Sequence, residues 1–99
     1  MSQFALYAHL KAKPGKEAEV EAFLKSALPM AQAEAGTRTW YAFQEDQGAY
    51  GIFDTFDSEA ARQAHLDGPI ARALMAQAPT LLASPPVIER VEVLGAKLP

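Results

Sequence analysis

Two runs decide the fold: Thr37-Arg38-Thr39-Trp40-Tyr41-Ala42-Phe43-Gln44-Glu45 and Ala49-Tyr50-Gly51-Ile52-Phe53-Asp54-Thr55-Phe56, separated by Asp46-Gln47-Gly48. Both are rich in β-branched and aromatic residues, which fit a pleated, half-buried surface. The Asp-Gln-Gly between them carries turn chemistry, so the spacing predicts a hairpin of strands 37–45 and 49–56. An even-length loop opposes Phe43 to Ile52, Tyr41 to Asp54 and Trp40 to Thr55. In that register Tyr41, Phe43, Ile52, Asp54 and Phe56 share one face, and Trp40, Ala42 and Phe53 share the other; a slip of one residue exchanges the two sets.

Upstream, Phe4, Leu6, Ala8 and Leu10 alternate with Gln3, Tyr7, His9 and Lys11, the period of a strand over 3–11. After the turn Lys13-Pro14-Gly15-Lys16, Val20, Phe23, Leu24, Ala27, Leu28 and Ala31 form a stripe at helical spacing. The predicted helix covers 16–28, with Pro29 ending or kinking it. Downstream, Asp57-Ser58 offers cap oxygens for a short helix over 59–66. Asp67-Gly68-Pro69 breaks that helix and opens another over 69–78, and residues 87–94 form a fourth strand. The order β-α-β-β-α-β predicts an α+β, ferredoxin-like fold: a four-stranded antiparallel sheet with helices on one face, residues 1–99 forming one domain. Both faces of the hairpin carry large apolar side chains, and the helices cover only one side. The other side calls for a second copy of the chain, a homodimer pairing sheet to sheet.

Composition narrows the function classes. The 99 residues are 49% hydrophobic, with 9 basic against 12 acidic side chains and a net charge of −3. No basic stripe exists for nucleic acid or an anionic membrane surface. With no cysteine, disulfides, thiolate metal sites and a Cys nucleophile are excluded. Met1-Ser2-Gln3-Phe4 does not open a secretory signal, and no apolar run approaches the roughly 18 residues of a membrane helix, so the expected compartment is the cytoplasm.

The catalytic inventory is short. Ser2, Ser26, Ser58 and Ser84 lack a nucleophile elbow, and Ser58 reads as a helix cap. No glycine-rich phosphate loop occurs. His9 and His65 lack the spacing of a helical two-histidine metal motif, and no metal site is predicted. His9 reads as a rim or dimer-surface residue. His65 follows the small residues Ala60, Ala61 and Ala64 and is either a general base near neutral pH or a histidine bonded at a helix end. Trp40 offers a flat wall for a planar ligand, or belongs to core or interface. Asp54 is a sheet hydrogen-bond acceptor or an acid inside a pocket. Met30 and Met75 read as gap-filling core.

The order Leu10-Lys11-Ala12-Lys13-Pro14-Gly15-Lys16-Glu17, Ala35-Gly36-Thr37, Phe53-Asp54-Thr55-Phe56-Asp57-Ser58 and Ala64-His65-Leu66 resembles the antibiotic-biosynthesis-monooxygenase family. The likeness is to its small quinol-monooxygenase-like members, within the dimeric α/β-barrel superfamily. It implies a homodimer whose sheets form a barrel, and a pocket in each protomer between helices and sheet. It further implies oxidation of a hydroxylated aromatic or quinol by O₂, with no cofactor, neither metal nor flavin. On that resemblance His65 is the base, and Trp40, Phe23, Phe53 and Met75 are substrate-binding walls. The haem-degrading branch of the superfamily is disfavoured: its asparagine, tryptophan and histidine positions match Ala8, His65 and Met75, and this sequence contains no asparagine. The alternative is a non-catalytic dimeric module that binds a small ligand or serves a stress-related role. A lyase or isomerase on the same scaffold is a third.

Overall fold

A computed structural model describes residues 4–99. The predicted strand start at Gln3 and the Ser2 hydroxyl lie outside the described residues. The chain runs β1 (Phe4–Lys11), α1 (Glu17–Ala33), β2 (Thr37–Asp46), β3 (Ala49–Phe56), α2 (Glu59–Leu66), α3 (Pro69–Leu81) and β4 (Val87–Glu92). The four strands form one antiparallel sheet in the order β2-β3-β1-β4, the ferredoxin-like arrangement, with the helices on one side.

The hairpin register differs from the sequence expectation by one residue. Beside the turn Asp46 pairs with Ala49, but the next pair is Gln44 with Tyr50, so Glu45 is an extra residue in a β-bulge. Beyond it Ala42 opposes Ile52, Tyr41 opposes Phe53 and Trp40 opposes Asp54. The faces therefore exchange partners. Trp40 and Ala42 share the helix side with Tyr50, Ile52, Asp54 and Phe56, while Tyr41, Phe43 and Phe53 lie on the outer side. Trp40 and Phe53 do not share a face. A side-chain pattern cannot reveal where one strand accommodates a surplus residue, and the whole assignment turned on that one.

Both long helices pass through the prolines expected to end or punctuate them. Pro29 is exposed and lacks only the N–H that would bond back one turn. The buried stripe Val20, Leu24, Ala27 and Ala31 continues past it and offsets the loss. The extra turn delivers Glu34 to the end of α1. Pro79 sits likewise inside α3 between buried Ala78 and Leu81, and its carbonyl accepts the Lys13 ammonium. The main core gathers Leu10, Val20, Leu24, Tyr50, Ile52 and Leu74, and a smaller cluster joins Ala27, Ala31 and Ile70 with Met30 and Trp40 packed against it.

α2 docks differently. Its N-terminus is capped by Ser58, whose Oγ accepts from the Ala61 N–H at 3.1 Å. Its two buried residues are polar, Arg62 and His65. Arg62 donates to the carbonyls of Ala5 (3.2 Å) and Val91 (3.3 Å), pairs with Glu59 at 2.6 Å and lies over the Phe4 ring. A short helix with no buried apolar side chain covers little apolar area, so these polar contacts hold it to the sheet.

Gly36 sets how closely α2 approaches. A β-carbon there would lie 2.7 Å from the Ala61 β-carbon, which is fixed to the helix backbone and cannot swing away. Gly36→Ala is expected to push α2 outward and cost roughly 1–3 kcal/mol, the range for overpacking. Urea unfolding checks this, and an unchanged midpoint contradicts it.

Candidate functional site

Several concave regions mark the surface. One of about 400 Å³ is a groove where α1 leaves edge strand β2 uncovered. Its apolar walls include Leu24, Leu28, Trp40 and Ala42, and its polar groups are Glu21, Lys25 and Gln44, together with Tyr50. The volume falls within the roughly 300–1,000 Å³ of small-molecule sites. The Tyr50 hydroxyl donates to Glu21 Oε2 at 2.7 Å. That bond to a carboxylate, reinforced by burial and the charge itself, pushes the phenol up to about 12, so Tyr50 keeps its proton at neutral pH. The Trp40 indole Nε1 is buried with no hydrogen-bond partner.

Behind Trp40 lies a buried polar array. Asp54, only 2% exposed, is the cross-strand neighbour of Trp40 on the same face. Its Oδ2 lies 3.1 Å from His65 Nε2, and His65 Nδ1 lies 2.6 Å from Glu34 Oε1. Glu34 Oε1 also accepts from the Thr37 hydroxyl at 2.7 Å, whereas Glu34 Oε2 is buried and unpaired. One imidazole thus bridges two carboxylates brought from β3 and the end of α1. A smaller cavity of about 260 Å³ opens beside it, lined by Glu34, Gly36, Ala61, Ala64, His65 and Gly68 among others.

The electrostatics follow from the geometry. Burial pulls His65 toward neutrality, but hydrogen bonds and charge from Asp54 and Glu34 outweigh it, and the imidazole is raised above the ordinary histidine value. Burial raises Asp54 too, against the lowering effect of His65. Both shifts make the folded chain bind protons more tightly than the unfolded chain. The His65 contribution to stability is complete below about pH 6.5, the ordinary histidine value, and is lost as pH rises through the raised value. The melting temperature is expected to fall between neutral and alkaline pH, and His65→Gln to flatten that dependence. Calorimetry on both proteins checks it; parallel curves contradict it.

The structure separates the residues expected to form one site. Trp40 lines the groove, and His65 lies deeper, joined to it through Asp54. Phe23 is on the other side of α1, in a shallow depression with Ser26, Gln77 and Leu81. Phe53 projects from the outer face, because it alternates with Ile52 and Asp54, which face the helices, while the bulge at Glu45 moves Trp40 away from its side. Met75 is exposed and not core, being one position beyond buried Leu74 on α3. His9 is on the outer face as expected, stacked on Tyr7 with its Nε2 2.6 Å from Glu89. Among the described residues no group of three His, Cys, Asp or Glu side chains is placed to hold a metal ion, and no helix is long and apolar enough to cross a membrane. Glu34 was missed because the expected helix ended at residue 28, six positions before it.

A sheet with three helices on one side, a groove at its edge and a buried acid–imidazole array beside it make up the candidate site on this ferredoxin-like frame. Residues 3–77 match the family model for antibiotic biosynthesis monooxygenase, and the chain belongs to that family. Its structure is similar to that of a protein of unknown function from Nitrosomonas europaea, at 57% identity and a TM-score of 0.96, covering 100% of this chain and 96% of that one. A proposed antibiotic biosynthesis monooxygenase from Caulobacter crescentus has the same fold at 23% identity and a TM-score of 0.81, covering 95% and 92%. A second protein from Nitrosomonas europaea, with the same proposed activity, follows at 12% identity and 0.83, covering 93% and 99%. No curated protein matches.

Proposed function

We propose that this chain is a cofactor-independent monooxygenase that oxidises a hydroxylated aromatic or quinol with O₂. The observation that carries the reading is the apolar groove backed by Trp40, with the buried Asp54–His65 pair directly behind that indole. A planar ring lies against Trp40, and its hydroxyl, inserted beside the indole, meets the pair. Removing the hydroxyl proton makes the ring electron-rich enough to reduce O₂ itself. A phenol plus O₂ gives a quinone plus water, so the substrate supplies every electron and no external reductant is needed. The protein deprotonates, orients and desolvates. His65 with Asp54 is the proton acceptor.

The outer face supports a dimer. Tyr7, Tyr41, Phe43, Phe53 and Val87 lie there with no helix over them, and Tyr41 is 56% exposed. Twofold pairing of this face completes the molecule and leaves the groove on the opposite side free.

A second reading is binding without turnover. It is favoured by one observation: both imidazole nitrogens already have carboxylate partners, as in a histidine that only holds a fold together. An oxygen electrode separates the two. With a menadiol-like or anthrone-like probe under air, oxygen uptake above the uncatalysed rate is expected, and Trp40→Ala weakens it. Saturable quenching of Trp40 fluorescence with no oxygen consumed selects the second reading.

A further inference from the structure

We propose that Glu34 is the exit relay for the proton that the Asp54–His65 pair accepts, delivering it to the small cavity between the end of α1 and the α2–α3 corner. The inference rests on the reaction proposed above for the origin of the proton, and on independent geometry for its path.

Each link is in place. Asp54 is buried at the sheet, so a proton it receives has no direct route to water. Its Oδ2 is 3.1 Å from Nε2 of His65, and the ring's other nitrogen is 2.6 Å from Glu34 Oε1. Both contacts lie within hydrogen-bond distance, the Nδ1–Glu34 contact also in hydrogen-bond alignment and the Nε2–Asp54 contact as an ion pair, and imidazole can take a proton at one nitrogen while giving one up at the other. The second oxygen of Glu34 has no partner. It lies close to Gly68, where a β-carbon would approach it to 3.6 Å, and Glu34 and Gly68 both line the cavity of about 260 Å³. Gly36, Ala61 and Ala64 keep the cavity open on its other walls. A buried carboxylate oxygen left unpaired is costly, and solvent does not reach this one at rest, so it gains a partner only when the side chain moves toward the cavity.

The transfer balances. The substrate O–H breaks and its proton goes to the Asp54 carboxylate. The proton shared by Asp54 Oδ2 and His65 moves onto Nε2, and the Nδ1 proton moves onto Glu34 Oε1. A swing of the Glu34 side chain, whose resting Oε2 is out of reach of solvent, then presents that proton to water in the cavity its residue lines. One proton enters and one leaves. The Thr37 hydroxyl, the other polar partner of Glu34 Oε1, holds the carboxylate in line. Glu34 is a relay residue acting through His65 and does not touch the substrate.

The test uses the full chain labelled with ¹⁵N and needs no substrate. Exchange of the His65 Nδ1 proton with water is measured by NMR in wild type, Glu34→Gln, Glu34→Asp and Thr37→Val. The relay predicts exchange slowed at least tenfold in Glu34→Gln, largely restored in Glu34→Asp and changed less than threefold in Thr37→Val. Equal rates in wild type and Glu34→Gln overturn it, as does equal slowing in Glu34→Gln and Thr37→Val, which marks a structural role. Oxygen uptake by Glu34→Gln then falls at least tenfold where wild type is active. A wild type that consumes no oxygen sinks the proposed reaction, while the exchange rates still decide the relay.

Discussion

His65→Ala is expected to lose about 3–5 kcal/mol of stability, the range for removing one partner of a buried ion pair. Asp54 is 2% exposed, and the imidazole is the side chain that compensates its charge. Glu34 loses the same partner. Protonation of Asp54, already favoured by burial, limits the loss but leaves a cavity the size of the ring. For a chain of this length such a loss lowers the melting temperature by more than about 10 °C. Asp54→Asn combined with His65→Ala should cost less than the sum of the two, since each removes the other's reason for being charged. Oxygen uptake falls by roughly 10²-fold or more on losing the proton acceptor. It is best read in His65→Gln well below the melting point, so that unfolding is not mistaken for lost chemistry. A stability change under about 1 kcal/mol contradicts the buried array.

The second large effect concerns assembly. Wild type should sediment at about twice the 10.7 kDa chain mass, and Phe53→Glu should shift it to the single-chain value at micromolar concentration. Phe53 is half-buried on the outer face beside Tyr41 and Tyr7, where the proposed twofold pairing would bring the same patch to both sides. Placing a carboxylate there desolvates one charge per protomer and sets like charges close together. Loss of a central aromatic anchor typically costs about 2 kcal/mol or more, a weakening of at least roughly thirtyfold. Because Phe53 points away from the helices, the groove and the Asp54–His65–Glu34 array stay intact, and far-ultraviolet circular dichroism should change little. A wild-type chain that sediments alone overturns the dimer.

Much of this was legible in the residues. Alternation in β1, the hairpin composition and the Ser58 cap specify the fold, and the family pattern singles out His65. What stayed hidden were features without a local signature. The bulge at Glu45 adds one residue to one strand, and that alone decides that Trp40, not Tyr41, stands beside Asp54. Pro29 is a stop signal in isolation, yet tertiary burial of Ala31 carries the helix through it. That override placed Glu34 against an imidazole 31 positions away in sequence. Phe23, Phe53 and Met75 are aromatic or soft side chains of suitable type for a pocket wall, but composition does not say which way a side chain points. Arg62, held by two sheet carbonyls, had no pattern to mark it.

The most direct measurement follows the oxygen atoms. Purified protein is supplied with an anthrone-like phenol under ¹⁸O₂, without added metal, flavin or reductant, and the product is weighed by mass spectrometry against a control without protein. The proposed chemistry predicts enzyme-dependent formation of a quinone carrying one ¹⁸O atom, the other leaving as labelled water. Product formed no faster than in the control, with ligand still quenching Trp40, contradicts it and leaves a binding protein in its place.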